Sequence, residues 1–135
     1  MSSVLERTAF DLSLRNPWFF RVVRRELYRR YKDPERVHEA ALRMMNEYDG
    51  VLRKRESEFD FPELTITIKG RRMKPFGTAA GLDKNGEALI PLSRIYGFLE
   101  PGTVVVNPRE GNQRPRVSSD SSRGDLYNAQ GFPSE

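Results

Sequence analysis

The apolar period of this chain changes near residue 64, and that change constrains its fold more than any other feature. Before it, apolar residues recur at helical spacing. From there, Leu64-Thr-Ile-Thr-Ile-Lys69 alternates in the manner of a half-buried strand. Helices come first and strands follow, with one more helical run between extended segments, so the pattern predicts an α/β fold.

Two helices are expected in the first part. Asn16-Pro17 reads as an N-cap followed by proline at the first helical position. Phe19, Phe20, Val22, Val23, Leu27 and Tyr31 then recur at roughly helical spacing, with Arg21, Arg24, Arg25, Arg29 and Arg30 between them. Asp33-Pro34 repeats the cap signal, ending one helix near Tyr31 and opening a second. Val37, Ala40, Ala41, Met44, Met45 and Tyr48 form the second apolar face, and Asp49-Gly50 is expected to stop it. The pair makes an amphipathic helical hairpin over residues 1–50. Residues 51–63 are charged, carry Pro62 and read as a connector.

After the period change, Gly70-Arg71-Arg72 is a turn and residues 73–80 return as a strand, completing a β-hairpin. A helix is expected over residues 86–96, with Pro91 in its first turns and Gly97 as its stop. Residues 98–106 read as a second strand, weakened by Pro101-Gly102, so the order β, α, β permits parallel pairing. Residues 108–124 read as a polar loop and residues 126–129 as a short helix. Between the first strand and the helix lies Ala79-Ala-Gly-Leu-Asp-Lys-Asn-Gly-Glu87. Small residues at such a turn let a flat or anionic ligand approach the backbone, and Lys84 adds one compact positive charge.

Charge is unevenly spread. Of a net +4, residues 1–55 hold 13 Lys/Arg against 8 Asp/Glu. That basic segment points to an anionic partner, phospholipid or nucleic acid. The chain has no cysteine and one histidine, which excludes a disulfide framework and argues against a bound metal. No apolar run reaches the length of a membrane span, and no secretory leader is read at the start. A cytoplasmic protein resting on a membrane surface is expected.

Each candidate residue has a plainer reading. Lys84 follows the end of a strand, where α/β folds place ligands, yet a solvated turn lysine is commoner. Thr103 could face the same mouth or serve only as a β-favouring residue. Asn128 could read a pyrimidine-like edge or cap a turn. His38, at the edge of an apolar helical face, is by itself an ordinary boundary histidine. Trp18, Phe19 and Phe20 beside arginines suit a headgroup region better than a nucleic acid, for which no module is visible.

Several segments together resemble the quinone-linked (class 2) dihydroorotate dehydrogenases. Asp33-Pro-Glu-Arg-Val-His38 is similar to that family's Asp-Pro-Glu-x-Ala-His. Residues 79–87 resemble its flavin loop almost residue for residue. Gly97-Phe98, Glu100 and Gly102-Thr103-Val104 follow its second-strand pattern. Gly111-Asn112-Gln-Arg-Pro-Arg116 resembles Gly-Asn-x-x-Pro-Arg, and Asn128-Ala-Gln-Gly-Phe132 resembles Asn-Arg-Met-Gly-Phe. The matches run in order from about residue 17 onward.

The resemblance implies the first part of an FMN-binding (β/α)8 TIM barrel over residues 64–135, preceded by a hairpin lying on the membrane. It implies oxidation of dihydroorotate to orotate in pyrimidine biosynthesis, with electrons passed through FMN to a membrane quinone. Ala80, Gly81, Leu82, Asp83, Lys84 and Thr103 would border FMN. Lys84, Asn128, Gly131 and Phe132 would contact the substrate, and His38 would line the quinone tunnel. No nucleic acid and no metal are implied, and the protein would sit peripherally at the inner face of the cell membrane.

The sequence departs from the family at Ala129 and Gln130, where the family has Arg and Met, at Ser118 and Ser119 in place of Phe-Arg-Leu, and at Pro133 in place of Asn. A complete barrel takes about 200 residues or more. The family's catalytic serine would fall beyond Glu135, so the 135-residue chain is expected to be inactive alone. The rival expectation is a non-catalytic membrane-surface or interaction module derived from that family.

Overall fold

The computed structural model describes residues 4–120, 123 and 125–133. Residues 121, 122 and 124 of the expected polar loop lie outside the described residues. The element order is α1 (Val4–Arg15), α2 (Pro17–Tyr31), α3 (Pro34–Glu47), α4 (Asp49–Lys54), two single 3-10 turns (Glu56–Phe59 and Pro62–Leu64), β1 (Ile66–Ile68), β2 (Arg71–Met73), α5 (Leu89–Ile95), β3 (Val117–Asp120) and β4 (Asp125–Asn128). The fold is mixed α/β, with the helices leading.

Helices α2 and α3 start as the cap signals predict. The Asn16 carboxamide accepts from the Trp18 amide, and the Asp33 carboxylate accepts from the Glu35 amide, each at 2.9 Å. Helix α2 ends at Lys32, whose left-handed backbone lets its amide donate to the Tyr28 carbonyl.

Two helices were not expected. Helix α1 lies within residues 1–50, ahead of the two expected helices, and buries Phe10 against Tyr48, ring centroids 5.0 Å apart. Asp49-Gly50, expected as a stop, instead opens α4, because Val51 and Leu52 are buried beside Tyr48 and that burial outweighs the helix cost of Gly50. Residues 51–63 therefore hold the rest of α4, the first 3-10 turn and the start of the second, which ends at Leu64.

The core has two adjoining parts. Phe10, Tyr48, Val51 and Leu52 gather Leu14, Met44, Phe59 and Ile95, while Leu42, Ala88 and Leu92 gather Leu82, Tyr96 and Leu99. Met45 belongs to both. Arg94 clasps the Asp49 carboxylate at 2.5 and 2.8 Å and so ties α5 to α4. Arg55 pairs with Asp11 and ties α4 back to α1.

β1 and β2 pair antiparallel, with Ile66 opposite Met73. Past Met73 the expected strand is interrupted by Pro75, which offers no N–H. Pairing resumes with Gly77 parallel to Phe98. The Thr78 amide donates to the Phe98 carbonyl at 3.1 Å, and the Gly81 amide to the Gly102 carbonyl at 2.8 Å. Residues 76–83 and 97–102 thus run side by side, as the β, α, β order predicts. Beyond Gly102 the expected strand does not form; Pro101 lacks an N–H and Gly102 has φ +123°.

Helix α5 is shorter than expected at its start. Gly86 sits at φ +75°, outside helical backbone, so the helix begins at Leu89. The short helix expected over residues 126–129 is instead strand β4, antiparallel to β3 with Val117 opposite Asn128. So few residues hold no helix of their own, and cross-strand pairing decides the outcome.

Candidate functional site

The loop of residues 79–87 lies between α3 and the chain segment that carries β3 and β4. On the α3 side, His38 Nε2 meets the Leu82 carbonyl oxygen at 2.6 Å. A carbonyl only accepts, so the imidazole donates from Nε2. Asn46 donates to the Glu87 carbonyl at 2.9 Å, so α3 holds the loop at both ends. Asp83 is 2% exposed, and its two carboxylate oxygens accept from the Glu87 and Ala88 amides at 2.8 Å each. Its side chain therefore closes the loop just ahead of α5.

Ala79 and Ala80 are exposed, and a side chain built on Gly81 would meet nothing within 4 Å. One face of the loop is consequently bare, small-residue backbone. Together with Gly77, Thr78 and Leu82 that stretch forms one wall of a cavity of about 830 Å³. The facing wall is Phe20, Val23 and Leu27 of α2 with His38, Ala41 and Met44 of α3, and the lining is mostly apolar. Asn128 and Gln130 close one side.

Lys84 points away from that cavity into a more polar recess of about 1020 Å³. Its ammonium donates to Gln130 Oε1 at 2.7 Å. Gln130 Nε2 donates in turn to Glu35 Oε1 at 2.9 Å. Glu35 is 5% exposed and is clasped by Arg116, whose Nη2 lies 2.8 Å and Nε 3.0 Å from the carboxylate. Burial pushes the Lys84 ammonium below its ordinary value, the Glu35 carboxylate pulls it back up, and Arg116 pushes it down. Burial raises Glu35, but hydrogen bonds from Arg116 and Gln130, with the charges of Arg114 and Arg116, hold it below the usual carboxylate range.

The structure brings His38, Leu82, Lys84 and the segment of residues 128–130 around one loop. Asn128 itself is exposed and accepts from the Gln130 amide at 2.9 Å, shaping the turn. Gly131, with φ +72°, packs against Asn112. Thr103 is exposed and lines neither cavity, and Phe132 is 62% exposed. Glu35, Arg116 and Gln130 were not singled out as site residues. Their only sequence signals are membership of Asp-Pro-Glu, of Gly-Asn-x-x-Pro-Arg, and the departure at residue 130.

A family profile described as Dihydroorotate dehydrogenase matches residues 63–135, just over half of the chain. The chain belongs to the dihydroorotate dehydrogenase family. A curated relative, the Dihydroorotate dehydrogenase (quinone) of Yersinia pseudotuberculosis serotype O:1b (strain IP 31758), is 34% identical over 116 residues, covering 84% of this chain and 34% of the relative. Its counterpart in Yersinia pestis bv. Antiqua (strain Angola) matches to the same extent. A crystal structure of DHODH from Eimeria tenella, in complex with ferulenol, superposes with a TM-score of 0.64 at 32% identity, over 78% of this chain and 28% of that one. The chain thus spans about a third of the length of the curated dihydroorotate dehydrogenases it matches. Among the described residues, no cluster of three or more His, Asp or Glu could hold a metal ion. No helix among them is long and apolar enough to cross a membrane.

Proposed function

We propose that this chain forms the quinone-access and flavin-loop portion of a quinone-linked dihydroorotate dehydrogenase, built on the first strands of a (β/α)8 barrel. The activity would be FMN-dependent oxidation of dihydroorotate to orotate in pyrimidine biosynthesis, with a membrane quinone as electron acceptor. One observation carries this reading. A single apolar cavity has the α2–α3 pair as one wall and the small-residue backbone of the loop as the other. A quinone ring held there would lie against the loop that borders the flavin.

The loop fits one face of a flat ring, because Ala79, Ala80 and Gly81 leave its backbone open. Bound FMN would supply the two-electron carrier between substrate and quinone. Residues 80–84 would hold it largely through backbone, with Thr103 as a further contact. Lys84 contributes a cation beside the loop that balances anionic charge on flavin or on the orotate carboxylate. Asn128, Gly131 and Phe132 belong to the substrate side, and His38 fixes the tunnel wall through Leu82. Asp83 serves by closing the loop, since both its oxygens are engaged there.

The second reading, a non-catalytic membrane-surface module, draws on the outer face of α2. Trp18 and Val22 are exposed there beside Arg21 and Arg25. Peripheral attachment to a membrane belongs to both readings.

The test is to titrate the purified chain with FMN, follow flavin fluorescence, and assay dihydroorotate-dependent reduction of a short-chain quinone. Saturable quenching that weakens in Gly81→Val, without turnover, is the expected result. Enzyme-like turnover would overturn the expected inactivity of the chain alone. No quenching, with vesicle binding intact, would favour the surface module.

A further inference from the structure

The departure at residue 130 has a structural counterpart. Gln130 stands where the family resemblance has an apolar methionine, and its carboxamide is oriented without ambiguity. Glu35 Oε1 can only accept, so the amide group at 2.9 Å from it must be Nε2. Oε1 is thereby turned to the Lys84 ammonium at 2.7 Å. The backbone of Gln130 is pinned as well. Its amide donates to Asn128 Oδ1, and its carbonyl accepts from the Asn112 amide, each at 2.9 Å. A side chain held at both backbone ends and at its own tip can fix another side chain in turn.

The charges around this contact matter. Arg116 engages both oxygens of the Glu35 carboxylate, and Arg114 lies 3.5 Å from it. Glu35 is therefore already neutralised. Lys84 faces a neutral oxygen rather than a carboxylate. Its positive charge is oriented without being cancelled, and Glu35, Arg116 and Lys84 together carry a net +1 beside the loop.

We infer that Gln130 is a positioning residue for Lys84, holding the ammonium at the loop through a neutral acceptor so that its charge stays available to an anionic ligand. The part played by the anion rests on the flavoenzyme reading given above. The hydrogen-bond relay Glu35–Gln130–Lys84 does not.

The experiment uses the 135-residue chain without cofactor. The side-chain carbons of its five lysines are followed by NMR through an alkaline titration, with Lys84 assigned from Lys84→Arg. The variants are Gln130→Met and Gln130→Glu, both close to glutamine in shape. A hydrogen bond to an ionised group favours the charged form. Losing it in Gln130→Met should lower the Lys84 midpoint by about one pH unit, a tenfold loss of proton affinity. Gln130→Glu should move the midpoint the opposite way. The other four lysines should not move in either variant.

An unchanged Lys84 midpoint in the folded variants would overturn the inference, because a merely structural glutamine would leave that titration alone. Should Gln130→Met not fold, the opposite shift expected of Gln130→Glu decides. Orotate added to the wild-type chain asks the separate question. If the Lys84 signal ignores orotate while the variants still shift the midpoint, the relay stands and the substrate reading falls.

Discussion

The Nε2 of His38 lies 2.6 Å from the carbonyl oxygen of Leu82, 44 residues further along the chain. Through this one contact the second helix of the basic hairpin is fastened to the backbone of the loop that follows the first parallel strand segment. The cavity between them owes its wall to that fastening, and several consequences can be measured.

Replacing His38 with alanine removes the tether. A net hydrogen bond is worth about 0.5–1.5 kcal/mol, so a stability loss of about 1 kcal/mol is expected in urea unfolding. Amide exchange should quicken across residues 79–83 and stay slow at Val51 and Leu52 in the core. Equal quickening everywhere would mean that His38 supports the fold at large and not the loop.

Arg116→Met leaves the Glu35 carboxylate buried without its main partner, an arrangement that costs about 3–5 kcal/mol. Urea unfolding should show a loss of that order. The double variant with Glu35→Gln should recover most of it, since no uncompensated charge remains.

Acid should destabilise the protein for the same reason. Burial raises Glu35, but Arg116 and Gln130 leave it depressed; Arg94 depresses Asp49 and Arg55 depresses Asp11. A carboxyl depressed on folding contributes stability that is fully present above its unfolded value. That contribution is lost as pH falls through the folded one. Thermal midpoints should therefore hold down to roughly pH 4.5 and fall below it, where unfolded aspartate and glutamate titrate. In Glu35→Gln the fall should be shallower.

Gly97→Ala tests the parallel pairing. A methyl group at Gly97 would run into the Lys74 backbone, which no rotamer change can relieve. Forced contacts of this kind cost about 1–3 kcal/mol, and the Gly97–Phe76 hydrogen bond at 2.8 Å should open with them. Gly50→Ala, at a site with nothing within 4 Å, is the control and should be neutral or slightly stabilising.

Anionic vesicles should shift the fluorescence of Trp18, the chain's one tryptophan, to the blue, because its side chain is 64% exposed on α2 beside arginines. Neutral vesicles should shift it less, and salt should weaken the effect. An emission spectrum indifferent to lipid would remove the membrane role of this face.

Local signals predicted these elements where a local cause decides them. Asn16 and Asp33 cap the helices they were expected to cap, and β1 falls inside the expected first strand, whereas Arg71 and Arg72, expected in the turn, belong to β2. Prediction failed where burial or pairing decides. Gly50 reads as a stop, yet Leu52 beside it is wholly buried. The residues of β4 acquire their conformation from β3. At the site, the resemblance pointed to Lys84 and His38. It could not show that Glu35, 49 residues before Lys84, reaches it through Gln130, because that relay exists only once α3 packs beside the loop.

The cavity between α2, α3 and the loop is the proposed quinone site. Photolabelling of the 135-residue chain with a short-chain azidoquinone, mapped by peptide mass spectrometry, tests it most directly. The account predicts saturable label on Val23, Leu27, Ala41 and Met44, displaced by unlabelled quinone and abolished in Ala41→Trp, which fills the cavity. Label scattered over the surface, or unaffected by that substitution, would contradict it.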